Sequence, residues 1–230
     1  MSRKIKKKIK TFLYAFYFAF IAVYLVFFIQ TYRGKMFAVE LEEEKVYEFV
    51  DFGGYKWRVL DVQDERTLLL MENIWDFRPY HNEREEITWE RSYLRQILNN
   101  EFYYSFPQAD REKIIKTSVS TPNNHWFRTD GGADTEDYVF LLSLEEIVNY
   151  LGDSGQFGIR QIPRNHISDQ YNGARRAYDL TGNIEFWWSR SPGNDANRAS
   201  NVTHGGGVNM FGIIVSNGGG VRPALWLLNY

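Results

Sequence analysis

Hydrophobic and polar positions divide the first 45 residues into three segments. Six Lys or Arg lie within residues 1–10, no charge lies within residues 11–32, and charged side chains return over residues 33–45. The apolar centre, Phe12 to Ile29, would span about 27 Å as a helix, close to the about 30 Å hydrocarbon core of a bilayer. The pattern therefore predicts a cytoplasmic basic segment over 1–10, a transmembrane signal anchor over 11–32 and a spacer over 33–45.

The charges that flank the apolar segment predict its orientation. Six cations precede it, whereas only Arg33 and Lys35 follow it closely, so the positive-inside rule places the amino terminus in the cytoplasm and the rest of the chain outside. We expect a single-pass protein of the cell membrane whose residues 11–32 contact the lipid bilayer. A cleaved secretory signal is the alternative. The anchor is favoured because the apolar stretch exceeds the roughly 7–15 residues of the hydrophobic region of a signal peptide and is not followed by a small-residue cleavage site.

The remaining chain, residues 46–230, alternates between patterns typical of strands and of helices. Helices are predicted after a cap at Thr88, over residues 108–116, and after Ser143, which forms a capping box with Glu146. Strands are predicted over residues 46–52, 55–62, 67–71, 137–142, 184–190, 207–215 and 221–228. Strands at both ends with helices between them predict one extracellular α+β domain over 46–230.

Glycine and proline predict how some of these strands are connected. Gly53–Gly54 predicts a tight turn between the first two strands, and Asn217–Gly218 predicts a primed hairpin turn between the last two. Arg222–Pro223 interrupts the last strand, which indicates a bulge or a sheet edge, with Arg222 in a buried ion pair.

Composition limits the chemistry and the partners of the domain. The chain has no cysteine, which excludes disulfides, thiol nucleophiles and thiolate metal sites. Because eight of the 27 Lys and Arg and none of the 29 Asp and Glu lie within residues 1–35, the rest of the chain has 19 basic and 29 acidic residues. Such an acidic domain is not expected to bind nucleic acid, which requires clustered cations.

Five stretches of sequence, taken together and in order, resemble a known family. They read FGGYKWRVL over 52–60, TWE over 88–90 with LRQILN over 94–99, TEDYVFLLS over 135–143, WWSRSPG over 187–193 and GVRPALWL over 220–227. The family consists of bacterial surface domains of unknown function. The resemblance implies a C-type-lectin-like mixed sheet of the formylglycine-generating-enzyme type.

The resemblance also carries expectations about pairing and chemistry. It implies that the first and last strands meet, with residues 57–60 paired to residues 224–227. Ser189 departs from the family, which tends to have an aliphatic residue at this position. Formylglycine-generating enzymes use cysteine thiolates to handle copper and oxygen, so that chemistry is excluded here.

A candidate ligand-binding surface lies in the carboxy-terminal third. Trp187 and Trp188 are consecutive on a predicted strand, so their side chains point to opposite faces. The outward one is expected either beneath a loop or as an exposed stacking platform. The polar side chains that could bind a sugar or peptide beside it are Arg190, Asn194, Asp195, Asn197, Arg198, Asn201, His204 and Asn209. A polar, turn-rich loop without a ligand is the alternative.

One acidic segment of the chain has side chains that could bind a metal ion. Carboxylates and glycines are dense over residues 130–137, a combination that suits Ca²⁺, but their spacing does not match an EF-hand. Asp137 would serve equally well as a backbone cap or as an arginine partner. Calcium therefore stays open, and no metal site is predicted.

Catalytic motifs are absent from the sequence. The four histidines form no His-Glu-x-x-His pattern, and there is no Gly-x-Ser-x-Gly, so neither a catalytic residue nor a cofactor is predicted. The sequence predicts a membrane-anchored extracellular binding module that recognises a glycan or an envelope protein through its carboxy-terminal loops. The alternatives are an extracellular carbohydrate-active enzyme with an Asp/Glu pair and an adapter in a multi-protein envelope complex.

Overall fold

The computed structural model describes Phe20, Ile21, Tyr24, residues 46–160 and residues 164–229. The predicted basic segment, nearly all of the predicted anchor and the predicted spacer lie outside these residues. Within the described ranges, no helix has both the length and the apolar character needed to cross a bilayer. The anchor therefore stays a prediction from the sequence.

Fifteen short strands and seven helical segments make up the described chain. The strands are β1 (Phe49–Phe52), β2 (Tyr55–Val62), β3 (Arg66–Met71), β4 (Asp76–Pro79), β5 (Ile114–Ile115), β6 (Thr117–Val119), β7 (Thr135–Asp137), β8 (His166–Ile167), β9 (Ala177–Tyr178), β10 (Ile184–Glu185), β11 (Trp187–Pro192), β12 (Arg198–Val202), β13 (Val208–Ile214), β14 (Gly218–Val221) and β15 (Ala224–Leu228). The helical segments are a 3-10 turn (Trp89–Arg91), α1 (Tyr93–Ile97), a π-helical turn (Leu98–Phe102), α2 (Tyr103–Ser105), α3 (Gln108–Arg111), α4 (Leu144–Leu151) and α5 (Asn172–Arg175).

The first sheet joins the two ends of the domain in the order β1-β2-β3-β15-β5. Gly53 and Gly54, at φ +61° and +83°, make the predicted turn between β1 and β2. The expected direct pairing of residues 57–60 with residues 224–227 is wrong, because β3 pairs with β2 along one edge and with β15 along the other. The first and last strands share a sheet but are separated by one strand.

The second sheet has the order β4-β14-β11-β12-β13-β8. The chain leaves it at Arg222–Pro223 and enters the first sheet as β15, so the predicted strand 221–228 is two strands in two sheets. Pro223 suits this break because it has no N–H to donate to a ladder. The predicted hairpin is also wrong. The Asn217 N–H does donate to the Ile214 carbonyl at 3.0 Å, but β13 pairs with β12 and β8 while β14 pairs with β11 and β4.

Local signals placed one helix correctly. The Ser143 hydroxyl accepts from the Glu146 N–H at 3.1 Å, and the Glu146 carboxylate accepts from the Ser143 N–H at 2.8 Å, which confirms the capping box. The helix α4 ends at Gly152, whose φ of +97° a side-chain-bearing residue would rarely adopt.

Other local predictions need correction. Thr88 makes no capping hydrogen bond; the cap of α1 is Ser92, whose hydroxyl accepts from the Arg95 N–H at 3.1 Å. The strand predicted over 137–142 ends at Asp137 as β7, and beyond it only Phe140 forms a bridge, to Ala224. Residues 138–142 have the apolar composition of a buried strand, but a segment can be buried without pairing in a sheet.

Two larger sheets, two short ladders and short helices give a mostly β molecule of the α+β class. Trp57 and Trp89 are fully buried and Trp226 nearly so, which confirms their expected place in the core. The residues from Tyr47 onward form one compact unit.

Candidate functional site

The structure buries both members of the tryptophan pair. Trp187 and Trp188 are each 0% exposed. The Trp187 indole N–H donates to the Arg175 carbonyl at 2.9 Å, and that of Trp188 donates to the Arg78 carbonyl at 3.0 Å. The prediction of an exposed stacking platform at these positions is therefore wrong. Both indoles are enclosed within the fold: Trp188 reaches a carbonyl of β4 and packs against Tyr80 at 6.0 Å between ring centroids, and no loop of the kind expected is needed to cover it.

Several residues of the recognised motifs hold the fold together. Asp137 is fully buried and accepts hydrogen bonds from the Trp89 indole, the Thr135 hydroxyl and the Arg95 guanidinium at 2.7–3.0 Å. Arg190, predicted as a ligand contact, is buried and pairs with Glu146. These motifs therefore mark structural ion pairs between helices and strands.

The acidic segment 130–137 shows no metal-binding arrangement. Asp137 is occupied by Arg95, and the Asp130 carboxylate accepts the Gly132 N–H at 3.1 Å. Among the residues that the structure describes, no group of three or more His, Cys, Asp or Glu could hold a metal ion. The arginine-partner interpretation of Asp137 is confirmed.

The predicted ion pair of Arg222 is present where the two sheets meet. Arg222 is fully buried, donates to the Met71 carbonyl at 2.7 Å and lies 3.5 Å from the Glu72 carboxylate, which Arg58 also binds at 2.8 Å. Burial, followed by repulsion from Arg58, lowers the pKa of Arg222 to about 9. This cluster is a structural connection at the sheet junction.

An exposed apolar surface, here called the apolar strip, runs beside the buried tryptophans. It consists of the exposed Phe77, Tyr178, Leu180 and Ile184 and the half-buried Phe186. Phe77 is 52% exposed and Leu180 is 82% exposed, and the rings of Phe77 and Phe186 are 5.9 Å apart. Tyr178 faces Ile184 across the β9–β10 ladder. Single exposed apolar residues are ordinary, but a contiguous set indicates a binding surface.

Three consecutive glycines make room for the aromatic part of this strip. A Cβ at Gly219 would lie 2.5 Å from the Trp188 indole nitrogen and 2.6 Å from the Phe186 ring, and a Cβ at Gly218 would lie 2.8 Å from the Phe77 ring. β14 therefore forms a bare floor against which these rings pack. Any side chain at Gly219 must displace them.

A rigid turn carries the apolar strip at its far end. The Asp179 carboxylate accepts hydrogen bonds from the Thr181 and Asn183 N–H groups at 2.8 Å and from the Thr181 hydroxyl. The Asn183 N–H and the Thr181 hydroxyl hold the pKa of Asp179 below its usual value. Leu180 is thus presented to solvent on an ordered turn.

His204 is the one predicted site residue at this surface. Its imidazole lies 3.3 Å from the Glu185 carboxylate and 5.6 Å from the Phe186 ring. Asn194, Asp195 and Asn197 lie at the opposite end of β12, so the structure separates His204 from the predicted residues of the loop between β11 and β12.

Those other residues lie on a second surface, the loop face, between β11 and β12 and along β13. Asp195 is exposed, and Asn194 and Asn197 are half-buried. Asn209 is bound to Asn201 at 2.9 Å, so these two amides hold neighbouring strands together. The loop face also carries an arginine row, which consists of Arg160, Phe127, Phe211 and Arg198.

A known family matches the domain from just before β3 to its last described residue. The model of the family described as Domain of unknown function (DUF6273) matches residues 64–229. The chain belongs to the DUF6273 family. No curated protein and no solved structure matches the chain. The apolar strip and the loop face both lie within the matched DUF6273 region, so each belongs to the family domain itself.

Sequence reasoning missed most of the apolar strip. Phe77 and Phe186 are far apart along the chain, and neither stands in a pattern that predicts exposure. The available signal was the run Gly218–Gly220, since consecutive glycines within a strand indicate the close approach of other atoms. It did not indicate which atoms approach.

Proposed function

We propose that this DUF6273 protein is a non-catalytic binding module, held outside the cell by its amino-terminal anchor, that docks a protein of the bacterial envelope through the apolar strip. The apolar strip is the observation that carries this proposal. A C-type-lectin-like arrangement is part of the proposal, supported by the return of β15 to the sheet of β2 and β3. In such a scaffold, loops and short ladders are free to carry recognition.

The chemistry of the apolar strip favours a protein partner. Sugars need several polar side chains around an aromatic ring, whereas the polar groups beside the strip bind each other: Glu185 lies 3.3 Å from His204, and Asp179 accepts from Thr181 and Asn183. A lipid surface is disfavoured because the chain after Lys35 has ten more acidic than basic residues. An apolar segment of another envelope protein fits both conditions.

A non-catalytic role is supported by the ion pairs that three buried or half-buried carboxylates form within the fold. Asp137 is bound to Arg95, Asp169 to Arg175, and Glu72 to Arg58, so these three carboxylates serve ion pairs within the fold. A catalytic pair would need two carboxylates that face a shared space.

Site-specific photo-crosslinking tests the proposal in intact cells. A photo-reactive residue at Leu180 in the full-length chain should give one discrete cross-linked envelope protein. The same residue at Val62, which is 65% exposed but lies on the other sheet, should not. Phe77→Asp should abolish the product without lowering the melting temperature.

Three outcomes would overturn the proposal. A product of twice the chain's mass would make the strip a self-association surface. Lipid adducts would make it a membrane contact. No discrete product, or one unaffected by Phe77→Asp, would leave the strip without a partner.

A further inference from the structure

The loop face carries two guanidinium groups that pair with no carboxylate of the described residues. The guanidinium of Arg160 lies 4.3 Å from the centroid of the Phe127 ring, and that of Arg198 lies 4.9 Å from the centroid of the Phe211 ring. The two rings are 5.9 Å apart and meet edge to face. Neither arginine has a carboxylate within 4.0 Å among the residues that the structure describes.

Carboxylates outnumber cations in the chain after Lys35, and Arg95, Arg175 and Arg190 each pair with a carboxylate inside the fold. The arginine row instead places its two cations on aromatic rings at the surface. Stacking keeps a guanidinium charged and leaves its in-plane N–H groups free to donate.

Buried contacts fix the backbone beneath the arginine row. The Asn124 amide donates to the carbonyls of Pro192 and Met210 at 2.8 Å each and accepts from the Phe127 N–H at 3.1 Å. One side chain therefore ties together the three segments that carry Phe127, Phe211 and the loop before Arg198.

Arg198 is itself held in place. Its Nη1 donates to the Gly212 carbonyl at 3.0 Å, and Gly212 has a φ of +78°. A Cβ at Gly212 would lie 2.6 Å from the Ala199 carbonyl oxygen, so this close approach requires glycine. A donor that is already ordered loses little entropy when a ligand binds, which favours affinity.

We propose that the arginine row is a binding site for an extended anionic glycan whose units carry carboxylate or phosphate groups. Guanidinium groups match oxyanions in shape and charge. Because two ring systems separate the two cations, the site fits repeated oxyanions with apolar sugar carbon between them better than a single small anion. The site is independent of the apolar strip and of its partner.

One carboxylate at the site opposes the ligand. Asp195 is exposed in the same loop, and its carboxylate accepts only the Ala196 N–H at 2.8 Å in the described structure. It sits between the chain positions of Asn194 and Arg198 and lowers the local positive potential. Removal of its charge should therefore strengthen binding.

Titration of the full-length chain in mild detergent tests the proposal with two matched pairs of probes. The first pair is oligogalacturonate and its methyl ester, which differ only in charge. The second is a phosphomannan oligosaccharide and its dephosphorylated form. At least one anionic member should bind about tenfold or more tightly than its neutral counterpart, and added salt should weaken that binding.

Variants locate the binding. Arg160→Gln should weaken it about tenfold, because Arg160 makes no other polar contact within the described structure, and Arg198→Gln should do the same. Asp195→Asn should tighten it about two- to threefold. The matched control is Arg66→Gln, since Arg66 also stacks on an aromatic ring, at 4.1 Å from Trp226, but lies outside the row.

Several results would overturn the proposal. These are equal binding of charged and neutral probes, no binding of either anionic probe, an equal effect of Arg66→Gln, and equal affinity for a single-stranded DNA oligomer. If Arg198→Gln fails to fold, the result for Arg160→Gln decides whether the proposal holds. The Arg160 side chain is exposed, so its replacement leaves the core intact.

Discussion

Gly219→Ala is the sharpest test of how the apolar strip is built. Gly219 has no left-handed backbone, so alanine meets no conformational barrier there, and steric contact dominates the cost. The new methyl group would lie 2.5 Å from the Trp188 indole nitrogen and 2.6 Å from the Phe186 ring. Trp188 is fully buried and cannot move without disturbing the second sheet.

The expected cost follows from three contributions. Overpacking of a buried site costs about 1–3 kcal/mol. A shifted indole would lose its 3.0 Å hydrogen bond to the Arg78 carbonyl, worth about 1 kcal/mol net. The lower entropy of the unfolded alanine variant offsets about 0.4–1 kcal/mol. The free energy of unfolding should fall by about 1–3 kcal/mol, which for a domain of this size lowers the melting temperature by about 3–10 °C.

Gly218→Ala is the matched control on the same strand. Its Cβ would meet the Phe77 ring at 2.8 Å, but Phe77 is 52% exposed and can turn away into solvent. Thermal unfolding followed by tryptophan fluorescence should show almost no change for this variant. If both variants lose the same stability, or if Gly219→Ala loses none, Gly219 does not support the rings in the way described.

Two further predictions concern local hydrogen bonds. Ser92→Ala should lower the free energy of unfolding by about 1 kcal/mol in chemical denaturation because it removes the cap of α1, whereas Thr88→Ala should change it by less than about half as much; the reverse order would contradict the assignment of the cap. The folded pKa of Asp179 lies below its ordinary value of 3.8, so the ionised carboxylate stabilises the 179–183 turn above about pH 4, and this contribution is lost as the pH falls through the folded pKa. A carboxyl titration by NMR should place the midpoint below 3.8, and a midpoint at or above that value would show that the turn does not hold the anion.

The sequence was informative wherever a few neighbouring residues decide the outcome. The capping box of Ser143 and Glu146, the turn at Gly53–Gly54 and the burial of Trp57 follow from hydrogen bonds and side-chain volumes within a short stretch. The absence of cysteine excluded whole classes of chemistry without any structure. The ion pair of Arg222 is predictable because a buried charge needs a partner, and an arginine partner was one of two alternatives for Asp137, but the sequence names neither partner.

Tertiary structure decided the features that depend on which segments meet. Asn217–Gly218 reverses the chain locally, but β13 pairs with β12 and β14 pairs with β11. The two flanking strands therefore do not pair with each other. Trp187 and Trp188 are adjacent on β11, and contacts with distant segments, Arg175 for Trp187 and Arg78 for Trp188, determined that both would be buried. The apolar strip and the arginine row join side chains from distant segments. Such contacts arise from packing among whole elements, and the order of residues along the chain does not specify them.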